Sequence, residues 1–364
     1  MNDPAHPISI TVFPGDGIGP EITRATLEVL RTLDRRFRLN LEFPCFEVGL
    51  ERLRKEGSTF PPALLEEARK AKGVLLGPIS HAIYPSREEG GINVSSALRI
   101  GLDLYGNIRP SRTRPGIPHW GRTPMDLVIV RENTEGFYAD RNMAVGPGEL
   151  MPTPDVAISL RKVTAQGSRR IARCAAELAA HRKRKKLTAV HKANVLRVSE
   201  PLFLNATREA AAEFGLEYDE QLVDSMAALL VRDPQRFDVV VTTNMFGDIL
   251  SDEAAELSGS LGLGASINCG DEHVMAQAQH GSAPDIAGQD RANPVSLILS
   301  AAMMLEWIGR RENRPALCRA GEALETAVDQ LLAEPESRTA DLGGSQTTSS
   351  FTEKLCARLA CEEP

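Results

Sequence analysis

Short β-branched runs alternating with longer amphipathic stretches constrain this chain more than any other feature. Ile8 to Phe13, Gly73 to Leu76, Leu127 to Val130, Thr188 to His191 and Asp238 to Thr242 are too short and too apolar for surface helices and read as buried strands. Helical patterns lie at Glu21 to about Leu33, Gln166 to His181, Glu200 to Phe214, Ile249 to Ser258 and Pro294 to Ile308. Parallel strands need a crossover, and the intervening helices supply it, so the pattern specifies an α/β protein with a largely parallel sheet. A chain of 364 residues is long enough for about two domains. No low-complexity linker separates autonomous halves. The Pro/Gly-rich stretch 139–159 reads as an irregular arm or loop.

Charge and cysteine usage exclude several functions. Lys and Arg number 42 against 49 Asp and Glu, a net charge of −7. That leaves no cationic excess for phosphates, so neither nucleic acid nor an anionic membrane surface is expected as a partner. No apolar run approaches the length of a transmembrane helix, and the polar Met1–Pro7 segment lacks the features of a signal peptide. The six cysteines form no C-x-x-C pair and no cluster with histidine, which predicts reduced thiols and a cytoplasmic protein. The basic run His181 to Lys186 reads as a solvated turn at a helix C-terminus, where cations suit the dipole.

Four groups of residues carry chemistry. Gly15, Gly17 and Gly19 alternate before Pro20, so they do not form a G-x-G-x-x-G fingerprint. Such a cluster serves equally as a tight strand-to-helix turn or as backbone approached by a ligand. Arg99, Arg109 and Arg131 lie near element ends, and guanidinium forks suit the carboxylates of a di- or tricarboxylate, although each alone could be a salt-bridged surface residue. Asp248 and Asp252 stand four apart, on one helix face, where two like charges call for a cation or a partner. Hard oxygen donors of this kind suit Mg²⁺ or Mn²⁺; Asp224 offers a third carboxylate or a helix N-cap. Lys192 follows a strand, where an active-site lip forms in α/β folds, and near a divalent cation it could act as a base. Tyr138 is either a packing tyrosine or a proton donor beside cations.

Taken in order, Gly15–Glu21, Leu98–Pro110, Val130–Tyr138, Val190–Val195, Thr243–Glu253, His280–Gly288, Asn293–Leu305 and Thr339–Gly344 resemble the metal-dependent β-decarboxylating dehydrogenases of the isocitrate/isopropylmalate dehydrogenase family. The resemblance runs nearly end to end. It implies an isopropylmalate dehydrogenase-like two-domain α/β fold, not a Rossmann fold, with a central sheet flanked by helices. Residues 1–104 and 259–364 would form the large, cofactor-side domain, and 105–258 a small domain carrying the dimer interface, the arm and the catalytic residues. It further implies a homodimer with shared active sites, Lys192 and Asp224 coming from the partner subunit.

The resemblance also assigns roles. Ser95, Arg99, Arg109 and Arg131 would bind a hydroxy di- or tricarboxylate, and Asp224, Asp248 and Asp252 would hold Mg²⁺ or Mn²⁺. Lys192 would be the base during hydride transfer and Tyr138 would protonate the enol after loss of CO₂. His280, Gly281, Ser282, Ala283, Asp285, Ile286 and Asn293 would line the dinucleotide. Asp285 favours NAD, since a carboxylate accepts from a free ribose 2′-OH and repels a 2′-phosphate. One departure is Gln277, where the family usually has a glutamate. Ser95 and Ser96 stand where isopropylmalate enzymes resemble one another in having leucines, which points to a 3-substituted (R)-malate of isocitrate or homoisocitrate type. Isopropylmalate, D-malate or tartrate are the alternatives. A non-catalytic regulatory subunit is the alternative of another class, disfavoured because the catalytic set is whole.

Overall fold

The computed structural model describes residues 6–138, 143, 146 and 148–361. In chain order its strands and helices are β1 (Ile8–Phe13), α1 (Gly19–Phe37), β2 (Leu41–Glu42), α2 (Leu50–Glu56), α3 (Pro62–Lys70), β3 (Gly73–Leu76), α4 (Val94–Gly101), β4 (Gly106–Arg112), β5 (Asp126–Glu132), β6 (Glu149–Thr153) and β7 (Val156–Ser159). They continue with α5 (Ala165–His181), β8 (Lys186–His191), α6 (Ser199–Glu213), β9 (Glu217–Leu222), α7 (Val223–Arg232), β10 (Val239–Thr242), α8 (Asn244–Ser258), β11 (Ile267–Cys269), β12 (Val274–Gln277), α9 (Val295–Arg311), α10 (Pro315–Ala333) and α11 (Thr348–Cys361). Two compact units result: Met1–Asp103 with Arg114–Pro118 and Ser260–Pro364, and Leu104–Thr113 with His119–Gly259.

In the first unit the strand order is β2-β1-β3-β12-β11. β1, β3 and β12 are mutually parallel, with Phe13 and Gln277 both opposite Leu76. Their carboxyl ends therefore lie along one edge, where open α/β sheets bind ligands. The strands are buried on both faces, which is why they read as unbroken apolar runs. Helix α1 starts with Pro20 and Glu21 in its first turn, both suited to the unpaired amides there, and stops at Arg38 in the left-handed region. Asn93 caps α4 by accepting from the Ser96 amide at 3.1 Å.

In the second unit the order is β4-β5-β10-β8-β9. β5, β10, β8 and β9 run parallel, while β4 pairs antiparallel to β5. Met125, Leu127, Ile129, Val190, Phe237 and Val240 form the core with α7 and α8. Helix α8 begins at Asn244, five residues before the expected start at Ile249. The expected arm is partly regular: β6 and β7 form an antiparallel hairpin, all of whose residues are exposed. Residues 139–142, 144, 145 and 147 of that arm lie outside the described residues. The basic run after α5 is partly paired internally, with Arg182 on Asp126 and Asp238 and Lys186 on Glu217. Among the described residues, no helix is long and apolar enough to cross a membrane.

Candidate active site

Arg131 leaves the carboxyl end of β5 opposite Thr242 of β10, the strand that leads directly into α8. This register sets a 1 %-exposed guanidinium against the first turns of α8. Gly247 makes the approach possible, since a Cβ there would stand 2.6 Å from the Arg131 side chain. Arg131 donates from Nε and Nη2 to Asn244 Oδ1 at 2.9 and 2.7 Å, from Nη2 to the Tyr138 hydroxyl at 2.7 Å, and from Nη1 to Asp248. Tyr138 donates in turn to Asp248 Oδ2 at 2.7 Å.

Arg109 reaches the same helix from β4. It donates to Ser251 Oγ at 2.8 Å and Asp252 Oδ1 at 3.0 Å, and lies 3.4 Å from Asp248 Oδ1. Burial and the neighbouring Arg131 charge pull its pKa down to about 10, against the raising influence of Asp248 and Asp252, so it stays cationic at neutral pH. Five of the expected residues, Arg109, Arg131, Tyr138, Asp248 and Asp252, are thus brought together within one unit. Asn244 and Ser251 belong with them. Asn244 shares the spacing of Asp248 and Asp252 on α8, a signal available in the sequence.

Asp224 and Lys192 go elsewhere. Asp224 sits in the first turn of α7 and is not its N-cap, and it accepts from Lys192 Nζ at 2.6 Å. The Lys192 hydrogen bond holds the Asp224 carboxyl below the usual range. Among the described residues, no three His, Cys, Asp or Glu side chains gather to hold a metal. Asp248 and Asp252 nevertheless fit Mg²⁺ or Mn²⁺: both offer hard oxygens one turn apart, with side chains 39 % and 53 % exposed. Such ions commonly take one or two carboxylates and complete their shell with water and substrate oxygens.

The first unit carries the other expected residues. Ser95 donates to Gln277 Oε1 at 3.0 Å, and Arg99 Nη2 reaches the same oxygen at 3.4 Å. The Gly15–Gly19 cluster is settled as a turn packed by protein. A Cβ on Gly17 (φ +57°) would lie 2.0 Å from the Ser282 carbonyl oxygen, and one on Gly15 2.2 Å from that of Pro78. Ile18 N donates to that Ser282 carbonyl at 2.9 Å. Asp16 ties the neighbouring loops down, accepting from Leu50 N at 2.7 Å, Ser80 N at 2.9 Å and Tyr84 Oη at 2.5 Å.

Along the expected cofactor segment, Ser282 Oγ lies 2.8 Å from Ser80 Oγ, and Ala283 adopts a left-handed conformation before the short turn Pro284–Ile286. Asp285 is exposed, and among the described residues its carboxylate makes no hydrogen bond. Gly281 faces open space. Asn293 donates to Asp341 at 2.9 Å. His280 Nδ1 donates to the Gly281 carbonyl at 3.0 Å, leaving Nε2 as a buried acceptor with no partner. Burial lowers the His280 pKa, so the ring is neutral at pH 7. An orphaned acceptor beside an open glycine fits a ligand rich in hydroxyl donors, as a dinucleotide is.

A family model described as isocitrate/isopropylmalate dehydrogenase matches residues 9–355. The chain belongs to the isocitrate/isopropylmalate dehydrogenase family. It is 43 % identical over 352 residues to an isocitrate/homoisocitrate dehydrogenase of Thermus thermophilus, covering 96 % of this chain and 98 % of the relative. It is 38 % identical over 352 residues to a 3-isopropylmalate dehydrogenase of Sulfurisphaera tokodaii, covering 96 % and 99 %. Among solved structures, isocitrate dehydrogenase from Methylococcus capsulatus matches with a TM-score of 0.85 and 38 % identity, over 97 % of this chain and 99 % of that one. The fold is accordingly the α/β isopropylmalate dehydrogenase-like one. This is a family of oxidoreductases that act on hydroxy acids with decarboxylation.

Proposed function

We propose that this member of the isocitrate/isopropylmalate dehydrogenase family carries out NAD-dependent oxidative decarboxylation of a 3-substituted (R)-malate of isocitrate or homoisocitrate type. The observation that carries the reading is the convergence of Arg109, Arg131 and Tyr138 on Asp248 and Asp252. A guanidinium pair beside two carboxylates can exchange those carboxylates for a substrate's when a cation takes them over.

Arg99, Arg109 and Arg131 would bind the carboxylates of the malate moiety, and Ser95 would face the group on C3. Asp248, Asp252 and the partner subunit's Asp224 would hold Mg²⁺ or Mn²⁺, which would supply Lewis-acid polarisation of the hydroxy-acid oxygens. His280, Gly281, Ser282, Ala283, Asp285, Ile286 and Asn293 would hold NAD, which would supply the hydride acceptor. The partner subunit's Lys192 takes the hydroxyl proton as the C2 hydride departs. The β-keto acid loses CO₂, leaving its electron pair on C3, and Tyr138 returns a proton there. Asp285 supports NAD over NADP for the reasons of charge given above.

Exposed apolar side chains support a homodimer. Ile249 and Met245 of α8, Val231 of α7 and Met151 of the β6–β7 hairpin are 61 %, 37 %, 42 % and 71 % exposed. A two-stranded hairpin with no covered face is marginal alone and calls for a second surface.

The test is NADH formation by the purified chain with Mg²⁺ or Mn²⁺, with isocitrate, homoisocitrate, isopropylmalate, D-malate and tartrate compared side by side and NADP as control. Best turnover on a tricarboxylate supports the reading. Best turnover on isopropylmalate refutes the role of Ser95, and silence on all five refutes the activity.

A further inference from the structure

Arg161 lies in the connector between β7 and α5, with its side chain 8 % exposed. Its guanidinium meets several segments that carry the proposed chemistry. Nη1 donates to Oγ of Ser199, the first residue of α6, at 2.9 Å. Nη2 donates to Glu200 Oε1 at 2.8 Å and to Thr243 Oγ1 at 3.0 Å. Thr243 holds the N-cap position of α8, where a threonine hydroxyl commonly accepts from its own helix; here it accepts from Arg161 instead. The guanidinium also stands 6.0 Å from the ring centre of Phe137, the residue before Tyr138, and 5.6 Å from that of Phe246, two residues before Asp248. The fully buried Glu200 reaches one segment more. Its Oε2 has no hydrogen-bond partner among the described residues, and the backbone amide of Lys192 favours its charged form from nearby. Lys192 opens the turn from β8 to α6, its carbonyl accepting from Val195 N at 3.0 Å and Leu196 N at 2.9 Å.

Holding two helix ends and a loop together does not require charge. A buried ion pair loses more on leaving water than a well-packed apolar pair of the same volume, so it is a poor choice for a mere staple. A guanidinium adds what an apolar group lacks: donors in one plane at fixed angles, which set Ser199, Glu200 and Thr243 in one register. We propose that Arg161, paired with Glu200, is a positioning residue that fixes the proton-donor segment at Tyr138, the carboxylate helix α8 and the base segment at Lys192 in one frame. The inference rests on the roles proposed above for Tyr138 and Lys192. Since Lys192 would serve the partner subunit's site and Tyr138 its own, a single guanidinium then governs part of the chemistry at each of two sites.

The experiment compares the full chain with Arg161→Lys and with the double variant Arg161→Met/Glu200→Leu, in which neither partner is left as an unpaired buried charge. Mg²⁺, NAD and the best substrate are used. The expected result is a loss of about tenfold or more in kcat for both variants, with KM for the hydroxy acid changed less than about threefold, because Arg109 and Arg131 keep their places. The double variant should unfold in denaturant close to the unaltered chain, so that its loss is not one of folded protein. Lysine keeps the charge but not the fork, and should not restore kcat. Full kcat in either variant overturns the proposal, as does a loss carried by KM alone. If the double variant does not fold, Arg161→Lys decides on the same two readings. If the unaltered chain turns over no substrate, the activity reading fails separately, and crystal structures of the unaltered chain and of Arg161→Lys decide the positioning role. Loss of the Tyr138–Asp248 or the Lys192–Asp224 hydrogen bond in the variant supports it, and retention of both overturns it.

Discussion

Asp248 gives one carboxylate oxygen to Arg131 and the other to Tyr138, whose phenol donates to Oδ2 at 2.7 Å. Arg131 Nη2 also donates to that phenol oxygen at 2.7 Å and its guanidinium lies 5.4 Å from the ring centre. Arg131 and Asp248 together fix the orientation of the phenol, with its proton directed at Asp248. Replacing Tyr138 with Phe keeps the ring and removes only the hydroxyl. The expected outcome is a fall in kcat of about 10²- to 10⁴-fold with KM little changed, read from steady-state kinetics on the best substrate. A change confined to KM would remove Tyr138 from the chemistry.

Gly17 tests the turn. Alanine there must take a positive φ and place Cβ 2.0 Å from the Ser282 carbonyl, whose position is fixed by Ile18 N. The substitution should cost about 2 kcal/mol or more and displace the 282 segment. Denaturant unfolding and the KM for NAD should therefore worsen together. A stable protein with an unaltered KM for NAD would contradict this packing.

Glu200 is fully buried on α6 and paired with Arg161, whose Nη2 lies 2.8 Å from Oε1. Burial raises the Glu200 pKa even against the Arg161 charge. Arg161→Met leaves a buried carboxyl unpaired, and a loss of about 3–5 kcal/mol is expected. Adding Glu200→Leu should recover much of it, as a double-mutant cycle by chemical denaturation would reveal.

Glu306 of α9 has its pKa pushed up to about 7 by burial, with Glu325 and Glu322 adding to the shift and Arg310 opposing it. The folded chain holds this proton more tightly than the unfolded chain, whose reference value is 4.5. The stability it contributes is complete below about pH 4.5 and is lost as pH rises through 7, a change on the order of 2 kcal/mol. Unfolding free energies at pH 5, 6, 7 and 8 should decline more steeply in the unaltered chain than in Glu306→Gln.

Asp285 stands exposed with an uncommitted carboxylate. Asp285→Ala should raise kcat/KM for NADP relative to NAD by about tenfold, since it removes a repulsion with a 2′-phosphate worth roughly 1–2 kcal/mol. Unchanged cofactor preference would place the ribose elsewhere.

The apolar strands and the i,i+4 carboxylates of α8 were legible because their signals are local. Strand β4 was not, since Asn107, Arg109 and Ser111 are buried polar residues in a strand that also contains Pro110. Strand β9, Glu217–Leu222, borders the second unit's strands and is only half-buried, so it carries no apolar run. Strand β12 is four residues long and becomes a strand only through its pairing with β3. At the site, the sequence offers Arg109 both as a ligand for carboxylates and as a salt-bridged residue. Its present partner Asp252 lies 143 positions away, and no pattern within one segment announces such a pair. The glycine cluster stayed ambiguous until the Ser282 carbonyl appeared against it.

The pairing of β12 with β3 also governs the order in which the chain can be made. β3 leaves the ribosome about two hundred residues before β12, and α1 waits longer still for α11, against which it packs. The strands of the second unit, by contrast, all emerge within one continuous span, β4 to β10. Vectorial synthesis therefore lets the acid–arginine cluster assemble while the first unit's sheet is still an open template, with the β3 edge exposed to a neighbouring nascent chain until the last hundred residues arrive.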